Sequence, residues 1–494
     1  MPGSAPQASM DPVSVAPAEQ EAVAPRSNSR GITRRQALAA ALATGVGVGA
    51  IRLLGGSMQQ LATSRSATAS GWISPLGSES ARVMHLLRRT TFGYTPTQLE
   101  AALSAGFSKT VDRLLETKAA EPPAFAAATT PGGRFPIAQL QQWWIDQMLA
   151  TSTPFAERMT LFWHGHFTTD YRKAADNTFV YWQNLTWRRM AMTDLRSMLI
   201  QVTKDPAMLR YLDLATSTGQ NPNENYSREL MELFTMGAGN YTEEDVRESA
   251  KALAGWQLPP PDSFAAGNGN RRLPVYSSQK TGIFNPRRSY RGSVTYLGKT
   301  GALDTEGVID RILAQPATAT LIAGKVAQQF VHARPSSDLV KQLGDVFRRG
   351  KYDMKTLMHA LFTSPEFTAD RNYRGLVKSP TELMVGVARA LGATSMSKLI
   401  ASSGSGMGQS LFDPPDVNGW PNNESWISSN TVVERVNFVT RALSSAKDLP
   451  SPTNAIHGHL DGVVSQQTAT LLSQAADDRA RWFITLASPE FQLK

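Results

Sequence analysis

Two histidines in an aromatic stretch are the first residues whose types and spacing could do chemistry. Residues 162–167 read FWHGHF, which places His164 and His166 on either side of Gly165. Imidazole is a common metal ligand and a frequent acid or base. The two side chains share a face in an extended segment but diverge by about 200° on a regular helix. Because glycine weakens a helix, the stretch predicts that both imidazoles can reach one point, with two structural histidines as the alternative.

A second group of polar residues lies on one predicted helix, within residues 221–234 (NPNENYSRELMELF). At roughly 100° per residue, its charged side chains fall opposite an apolar arc. Two carboxylates beside a guanidinium can bind a metal or polarise a substrate, and nearby amides can bind that substrate. The residues in question are Asn223, Asn225, Arg228, Glu229 and Glu232. The alternative is an ordinary solvated helix face, on which Arg228 pairs with Glu232.

A third motif combines prolines, aspartates and tryptophan in a predicted loop. Residues 411–421 read LFDPPDVNGWP. Asp413 and Asp416 could supply oxygen ligands to a metal ion, and Trp420 could contact a substrate. A rigid turn packed by its tryptophans is the alternative.

Together the three motifs predict a divalent metal site for hydrolytic chemistry. The predicted metal ligands are His164, His166, Asp413 and Asp416, with Glu229 or Glu232 as a further ligand or general base. The alternative function is a non-catalytic binding or scaffold protein, in which the same motifs form buried hydrogen-bond networks that hold the helices together. The ten tryptophans suggest polysaccharide binding as a third possibility.

Helical periodicity dominates the elements that must position these residues. It predicts helix starts at Thr95 and at Thr242, where Asp245 three residues on predicts a capping box. The pattern predicts a mainly α protein, with one large multi-helix domain over 70–494. Residues 258–301 interrupt the pattern with prolines and glycines, and they predict a loop insertion with a small β-hairpin and a possible subdivision of the domain. A second His-Gly-His, residues 457–459, lies in a predicted polar surface loop over 454–461.

Composition excludes several classes of protein. The absence of cysteine excludes disulfides, thiolate metal sites and a cysteine nucleophile. The net charge is +9, of which the first 69 residues contribute about +3, and this modest excess does not indicate a nucleic-acid-binding protein. After the leader, no apolar run approaches the ~20 residues of a membrane span.

The first 69 residues read as a disordered leader and an export signal. The segment GITRRQAL, residues 31–38, places paired arginines before an apolar run that ends at Leu54. This layout is typical of a twin-arginine signal peptide, and residues 67–69 (ATA) fit a cleavage site. We therefore expect the twin-arginine (Tat) translocase as a partner and a periplasmic or secreted location. The alternative is that the apolar run stays as an uncleaved anchor.

Several motifs together resemble the exported bacterial family known as domain of unknown function 1800 (DUF1800). They are HLLRRTTFG (85–93), FWHGHF (162–167), NPNENYSREL (221–230), GW (255–256), KSP (378–380), the 411–421 loop and SPEF (488–491). The resemblance implies a mainly helical, exported protein. It also implies a possible partner, a second exported protein that resembles phosphatases and sulfatases. No activity is attached to the family.

One stretch departs from the family pattern. Relatives typically show histidine, aspartate and lysine where this chain has Ser289, Tyr290 and Val294, although the surrounding frame of residues 284–298 is kept. If those groups act chemically in relatives, this member lacks them, and the departure favours the non-catalytic alternative.

Overall fold

A computed structural model describes residues 72–494 of the chain. The leader, the paired arginines and the predicted cleavage site lie outside the described residues. The described part is mainly α-helical, as predicted, with short strands in one segment. Within it, no helix is long and apolar enough to cross a membrane.

Side-chain caps fix the starts of many helices. The side chains of Thr95, Thr242 and Ser379 each accept a hydrogen bond from the backbone N–H three residues on, and the side chain at that position accepts one from the backbone N–H of the cap residue. Such capping boxes satisfy backbone N–H groups that a helix start leaves unpaired. The box predicted between Thr242 and Asp245 is confirmed.

Eleven α-helices precede the strands in the described chain. They are α1 (Glu79–Thr90), α2 (Pro96–Ala105), α3 (Phe107–Glu116), α4 (Ile137–Ala150), α5 (Pro154–His166), α6 (Tyr171–Ala174), α7 (Asn177–Met190), α8 (Leu195–Lys204), α9 (Pro206–Tyr211), α10 (Asn225–Glu232) and α11 (Glu243–Leu253).

The segment that breaks the helical pattern forms three separate two-stranded antiparallel sheets. Trp256–Gln257 (β1) pairs with Ile283–Phe284 (β4), Ser263–Ala266 (β2) with Arg272–Val275 (β3), and Val294–Tyr296 (β5) with Lys299–Gly301 (β6). The predicted hairpin near the end of the segment is therefore present. The other two pairs were not predicted, because strands of two to four residues are too short to show an alternating pattern.

Helices resume after the strands and continue to the end of the chain. They are α12 (Thr305–Leu313), α13 (Pro316–Phe330), α14 (Ser337–Arg349), α15 (Met354–Phe362), α16 (Pro380–Ala390), α17 (Ser397–Gly404), α18 (Ser429–Ser445), α19 (Ala455–Leu460), α20 (Gln466–Ser473), α21 (Asp478–Ala487) and α22 (Pro489–Gln492). The loop predicted over 454–461 is wrong, because α19 forms there.

Two apolar cores hold these helices together, and α5 contributes to both. Its Trp163, with the following Phe167, belongs to the first core. Leu161 belongs to the second, which also contains Trp144 and Phe412. A helix between two cores must bury opposite faces, which explains why α5 is buried on nearly every side, its polar residues included.

Candidate functional site

The position of α5 decides what its two histidines can do. The helix continues through Gly165 to His166, so the two imidazoles leave on different sides. His164 faces aromatic rings of the second core, and His166 faces those of the first. The predicted convergence of the two rings is therefore wrong, because burial on both sides keeps the segment helical.

His164 is a buried, neutral packing residue. Its Nε2 accepts a hydrogen bond from the Phe412 backbone N–H at 3.1 Å. Its ring lies 4.9 Å from Trp144 and 5.0 Å from Trp420, measured between centroids. Burial lowers the pKa of His164 to about 3. The nitrogen lone pair that a metal would need is already used inside the protein.

His166 forms a polar pair with a lysine from a distant helix. Its Nε2 lies 3.0 Å from the Phe234 carbonyl oxygen, so Nε2 must carry the proton. Nδ1 then accepts from the Lys325 ammonium at 3.0 Å. Burial, and next the Lys325 charge, lower the pKa of His166 well below its usual value. Burial also lowers the pKa of Lys325 to about 8, so Lys325 remains mostly cationic at neutral pH.

The proline-rich loop packs directly onto the end of α5. Gly419 has φ +86°, and a Cβ added there would lie 2.5 Å from the Gly165 carbonyl oxygen. Only glycine permits both this backbone conformation and this close approach. The approach sets Trp420 beside the last turn of α5.

These segments enclose a cavity of about 140 Å³, here called the His166 pocket. Its aromatic walls are Phe162, Trp420 and Trp426. Side-chain amides line much of the rest, from Gln328, Gln329, Gln409, Asn418, Asn422 and Asn423. Its charged groups are Lys325, Glu382 and Lys494. The pocket thus combines flat apolar surfaces with many neutral hydrogen-bonding groups.

A buried ion-pair group forms the floor of the pocket. Glu382 contacts both Arg158 and Lys494, and it caps the start of α16 at Ser379. Burial opposes the carboxylate charge, but Arg158 and then Lys494 outweigh it and hold the pKa of Glu382 at about 2. Glu382 does not offset the burial of Lys494, because it is shared with Arg158. Burial therefore lowers the pKa of Lys494 to about 7.

The predicted catalytic residues of α10 lie elsewhere. Arg228 pairs with Glu243 and Glu224, not with Glu232 as the solvated-face alternative had it. Glu232 instead accepts a hydrogen bond from the Tyr241 hydroxyl at 2.6 Å. Burial, and next Glu232, raise the pKa of Glu229. The helix end is nevertheless linked to the pocket, because Lys325 and His166 bind the carbonyl groups of residues 233 and 234.

The predicted substrate-binding asparagines are used in local structure. Asn223 accepts a hydrogen bond from the Asn225 backbone N–H at 2.9 Å. The Asn225 side chain donates to Asp213 at 3.0 Å. Neither side chain lines the His166 pocket.

The two aspartates that were predicted to bind a metal also interact with other groups of the protein. Asp413 forms a bidentate ion pair with Arg172. Asp416 accepts from the Asn418 backbone N–H at 2.7 Å and so shapes the loop. Burial raises the pKa of Tyr211, and Asp170, Asp416 and Glu229 add to this, so Asp416 and Glu229 are both within electrostatic reach of Tyr211.

Within residues 72–494, no group of three or more histidine, aspartate or glutamate side chains is placed to hold a metal ion. The predicted set of His164, His166, Asp413 and Asp416 is therefore not assembled. Of the predicted site residues, His166 and Trp420 line the pocket.

Sequence reasoning missed Lys325, Glu382 and Lys494. Lys325 is the one charged residue of α13 (PATATLIAGKVAQQF), and a lone charge on an otherwise uncharged helix was a usable signal. Glu382 reads as an ordinary capping residue three places after Ser379. No local pattern marks Lys494, because only the folded chain brings it to Glu382.

The second His-Gly-His motif lies on a helix and not in a loop, although its His457 is exposed, as the surface prediction had it. His459 lies on α19 beside Trp482 and Phe491, at centroid distances of 5.9 and 6.4 Å. Burial lowers the pKa of His459 to about 4.

The stretch with altered residues packs away from the pocket. Ser289 and Tyr290 lie against Gly219, whose N–H donates to the Arg288 carbonyl oxygen at 2.7 Å. Val294 is buried in β5. The departures from the family pattern therefore leave the lining of the His166 pocket unchanged.

Comparison with known families agrees with the motifs that converge here. The family described as protein of unknown function DUF1800 matches residues 85–493. The chain belongs to this family. No curated protein and no solved structure matches the chain. Three of the motifs that resemble the family contribute to the lining of the His166 pocket. They are FWHGHF at the end of α5, KSP at the start of α16 and the 411–421 loop.

Proposed function

We propose that this DUF1800 member is an exported binding protein whose His166 pocket takes a small, hydroxylated ligand with one negative charge. The observation that carries the proposal is the Lys325 ammonium. It donates to His166 Nδ1 and to the Leu233 carbonyl oxygen, each at 3.0 Å. An ammonium has three N–H donors, so one remains for a ligand in the pocket that Lys325 lines.

The shape and lining support the class of ligand. The volume of about 140 Å³ is below the ~300–1,000 Å³ typical of drug-sized ligands and suits a single small unit. Aromatic faces pack against the apolar side of a sugar-like ring, and amides hydrogen-bond its hydroxyl groups. An acidic monosaccharide combines these features. Export through the Tat route would place the pocket where such ligands occur outside the cytoplasm.

Calorimetric titration with D-glucuronate and uncharged D-glucose tests the proposal. We expect the wild-type protein to bind glucuronate more tightly than glucose. Lys325→Met should remove this preference, because it deletes the ammonium but keeps the alkyl chain. Lys341→Met is the matched control, since Lys341 lies on the exposed face of α14 with 80% of its side chain exposed. Equal binding by wild type and Lys325→Met would refute the charge-recognition role.

A second candidate function is a scaffold for the exported phosphatase- or sulfatase-like partner. Buried polar networks favour it: Glu157 accepts two hydrogen bonds from Arg188, and Gln183 donates to Asp205 at 2.8 Å. The strand segment supplies exposed apolar side chains, because Ile283 and Phe284 of β4 are 47% and 42% exposed. Exposed apolar side chains of this kind can anchor a partner protein.

Size-exclusion chromatography of the chain mixed with that purified partner tests the scaffold function. We expect a complex that Ile283→Ser/Phe284→Ser abolishes. Leu103→Ser, which changes an exposed apolar residue on α2, should leave the complex intact. Separate elution of the two wild-type proteins would exclude this function.

A further inference from the structure

A second cavity lies beyond the ion pair that floors the His166 pocket. It measures about 30 Å³, and Glu382 and Lys494 line both cavities. We call it the Arg88 cavity, because Arg88 and Lys378 form its distinctive wall. By volume it has room for about two water molecules, or for the oxygens of one small anionic group.

Basic side chains that line the Arg88 cavity or interact electrostatically with its charged lining outnumber carboxylates; of them, Arg88, Lys378 and Lys494 line it. The cations are Arg88, Arg89, Arg158, Arg374, Lys378, Arg435 and Lys494, and each interacts electrostatically with at least one other charged member of the group. Against these seven stand three side-chain carboxylates, Glu382, Asp461 and Glu490. The side chains of this group therefore include more basic than acidic members.

Part of this charge has no hydrogen-bond acceptor. Arg88 is 7% exposed, and its Nη1 binds Asp461, but its Nε and Nη2 have no partner among the described residues. The same holds for Nε and Nη1 of Arg89 and of Arg374, which are 0% and 2% exposed. Buried donors of this kind are costly and are normally paired.

Most carboxylate oxygens here are already engaged, and the exception is Asp461 Oδ1, a buried acceptor without a partner beside Arg88. Glu382 is shared by Arg158 and Lys494. Glu490 accepts from three neutral groups, on Trp72, Ser465 and Thr468. Burial, and next the Arg88 charge, lower the pKa of Lys378 to about 7.

We propose that the Arg88 cavity binds one oxyanion group, such as phosphate or sulfate, held by Arg88 and Lys378. Guanidinium groups bind tetrahedral oxyanions through paired charge-assisted hydrogen bonds. Lys378 now rests with its ammonium 3.9 Å from the centroid of the Phe491 ring, and its flexible chain can turn to the anion. The proposal does not depend on the ligand of the His166 pocket.

Calorimetric titration of the exported chain with inorganic phosphate tests this site, after exhaustive dialysis and a phosphorus assay. We expect the phosphorus assay to find phosphorus bound to the protein before dialysis, or the titration to show that the dialysed protein binds phosphate. Lys378→Met should weaken binding about tenfold or more, because it removes one charge-assisted hydrogen bond. Arg291→Gln, which changes an exposed arginine, is the matched control and should bind like wild type.

Three further measurements make the test decisive. Arg88→Gln should also lose binding, and Lys378→Met decides alone if Arg88→Gln does not fold. Phenyl phosphate distinguishes a free ion from the anionic group of a larger ligand: the larger ligand is the source if phenyl phosphate binds more tightly than phosphate. Trp420→Ala should keep phosphate binding even where it removes glucuronate binding, which separates the two sites. The proposal is overturned if wild type neither retains nor binds phosphate or sulfate, or if Lys378→Met binds as tightly as wild type.

Discussion

Replacing Glu382 by glutamine should destabilise the protein more than any exposed charge substitution. The carboxylate is 4% exposed and contacts two buried cations, Arg158 and Lys494. Glutamine keeps the shape of the side chain and its capping role at Ser379, but it leaves both cations without a counter-charge. Removing one partner of a buried ion pair typically costs about 3–5 kcal/mol.

The pKa of Glu382 leads to a similar magnitude. Its folded value of about 2 lies below the ordinary 4.5, so ionisation stabilises the folded state. A lowering of this size corresponds to about 3 kcal/mol at pH 7. This contribution is present above pH 4.5 and is lost as the pH falls towards 2. At pH 3 roughly half of it should remain.

Urea unfolding followed by tryptophan fluorescence measures both values. We expect Glu382→Gln to lose about 3 kcal/mol at pH 7 and about half of that at pH 3. Glu424→Gln is the control, because Glu424 forms an exposed pair with Arg334 that is worth about 0–1 kcal/mol. A loss below about 1 kcal/mol, or one equal to the control, would refute the view that Glu382 balances buried charge.

Three further predictions follow from the site and its surroundings. Gly419→Ala should lower the free energy of unfolding by about 1–3 kcal/mol, because Gly419 combines a positive φ with a close backbone contact. Gly298→Ala is the control, since Gly298 has φ +75° but open space around it, and thermal unfolding should show a smaller loss of stability there. Burial raises the pKa of Asp205 from 3.8 to about 7, so its contribution to stability falls as the pH rises between these values; Asp205→Asn should therefore melt above wild type at pH 8, and a lower melting temperature there would contradict the sign. Lys325→Met should raise the pKa of His166 yet leave it below 6.5, since burial is the larger cause; an NMR titration that finds no change would show that the Lys325 charge does not reach the ring.

The location of the chain outside the cytoplasm remains a prediction from residues 1–69. Expression of the full chain with Arg34→Lys/Arg35→Lys, followed by fractionation, tests it. We expect the wild type in the periplasm or medium and the variant in the cytoplasm.

Local chemistry in the sequence was enough to predict the class of fold. The three- and four-residue spacing of apolar positions predicted a mainly helical chain, and Thr95 and Thr242 marked helix starts that the structure confirms. The motifs were also sufficient for the family. Both kinds of signal lie within short stretches, so they do not depend on how the helices pack.

The site was decided by tertiary structure. Burial of α5 between two cores keeps the segment helical through Gly165, so His164 and His166 point apart and the predicted metal ligands stay separate. The groups that define the pocket floor, Arg158, Glu382 and Lys494, are separated by more than 100 residues at each step. A sequence shows each charge alone. Only packing shows which charges share a low-dielectric interior, and there the balance of burial against neighbouring charge sets their pKa values and their role.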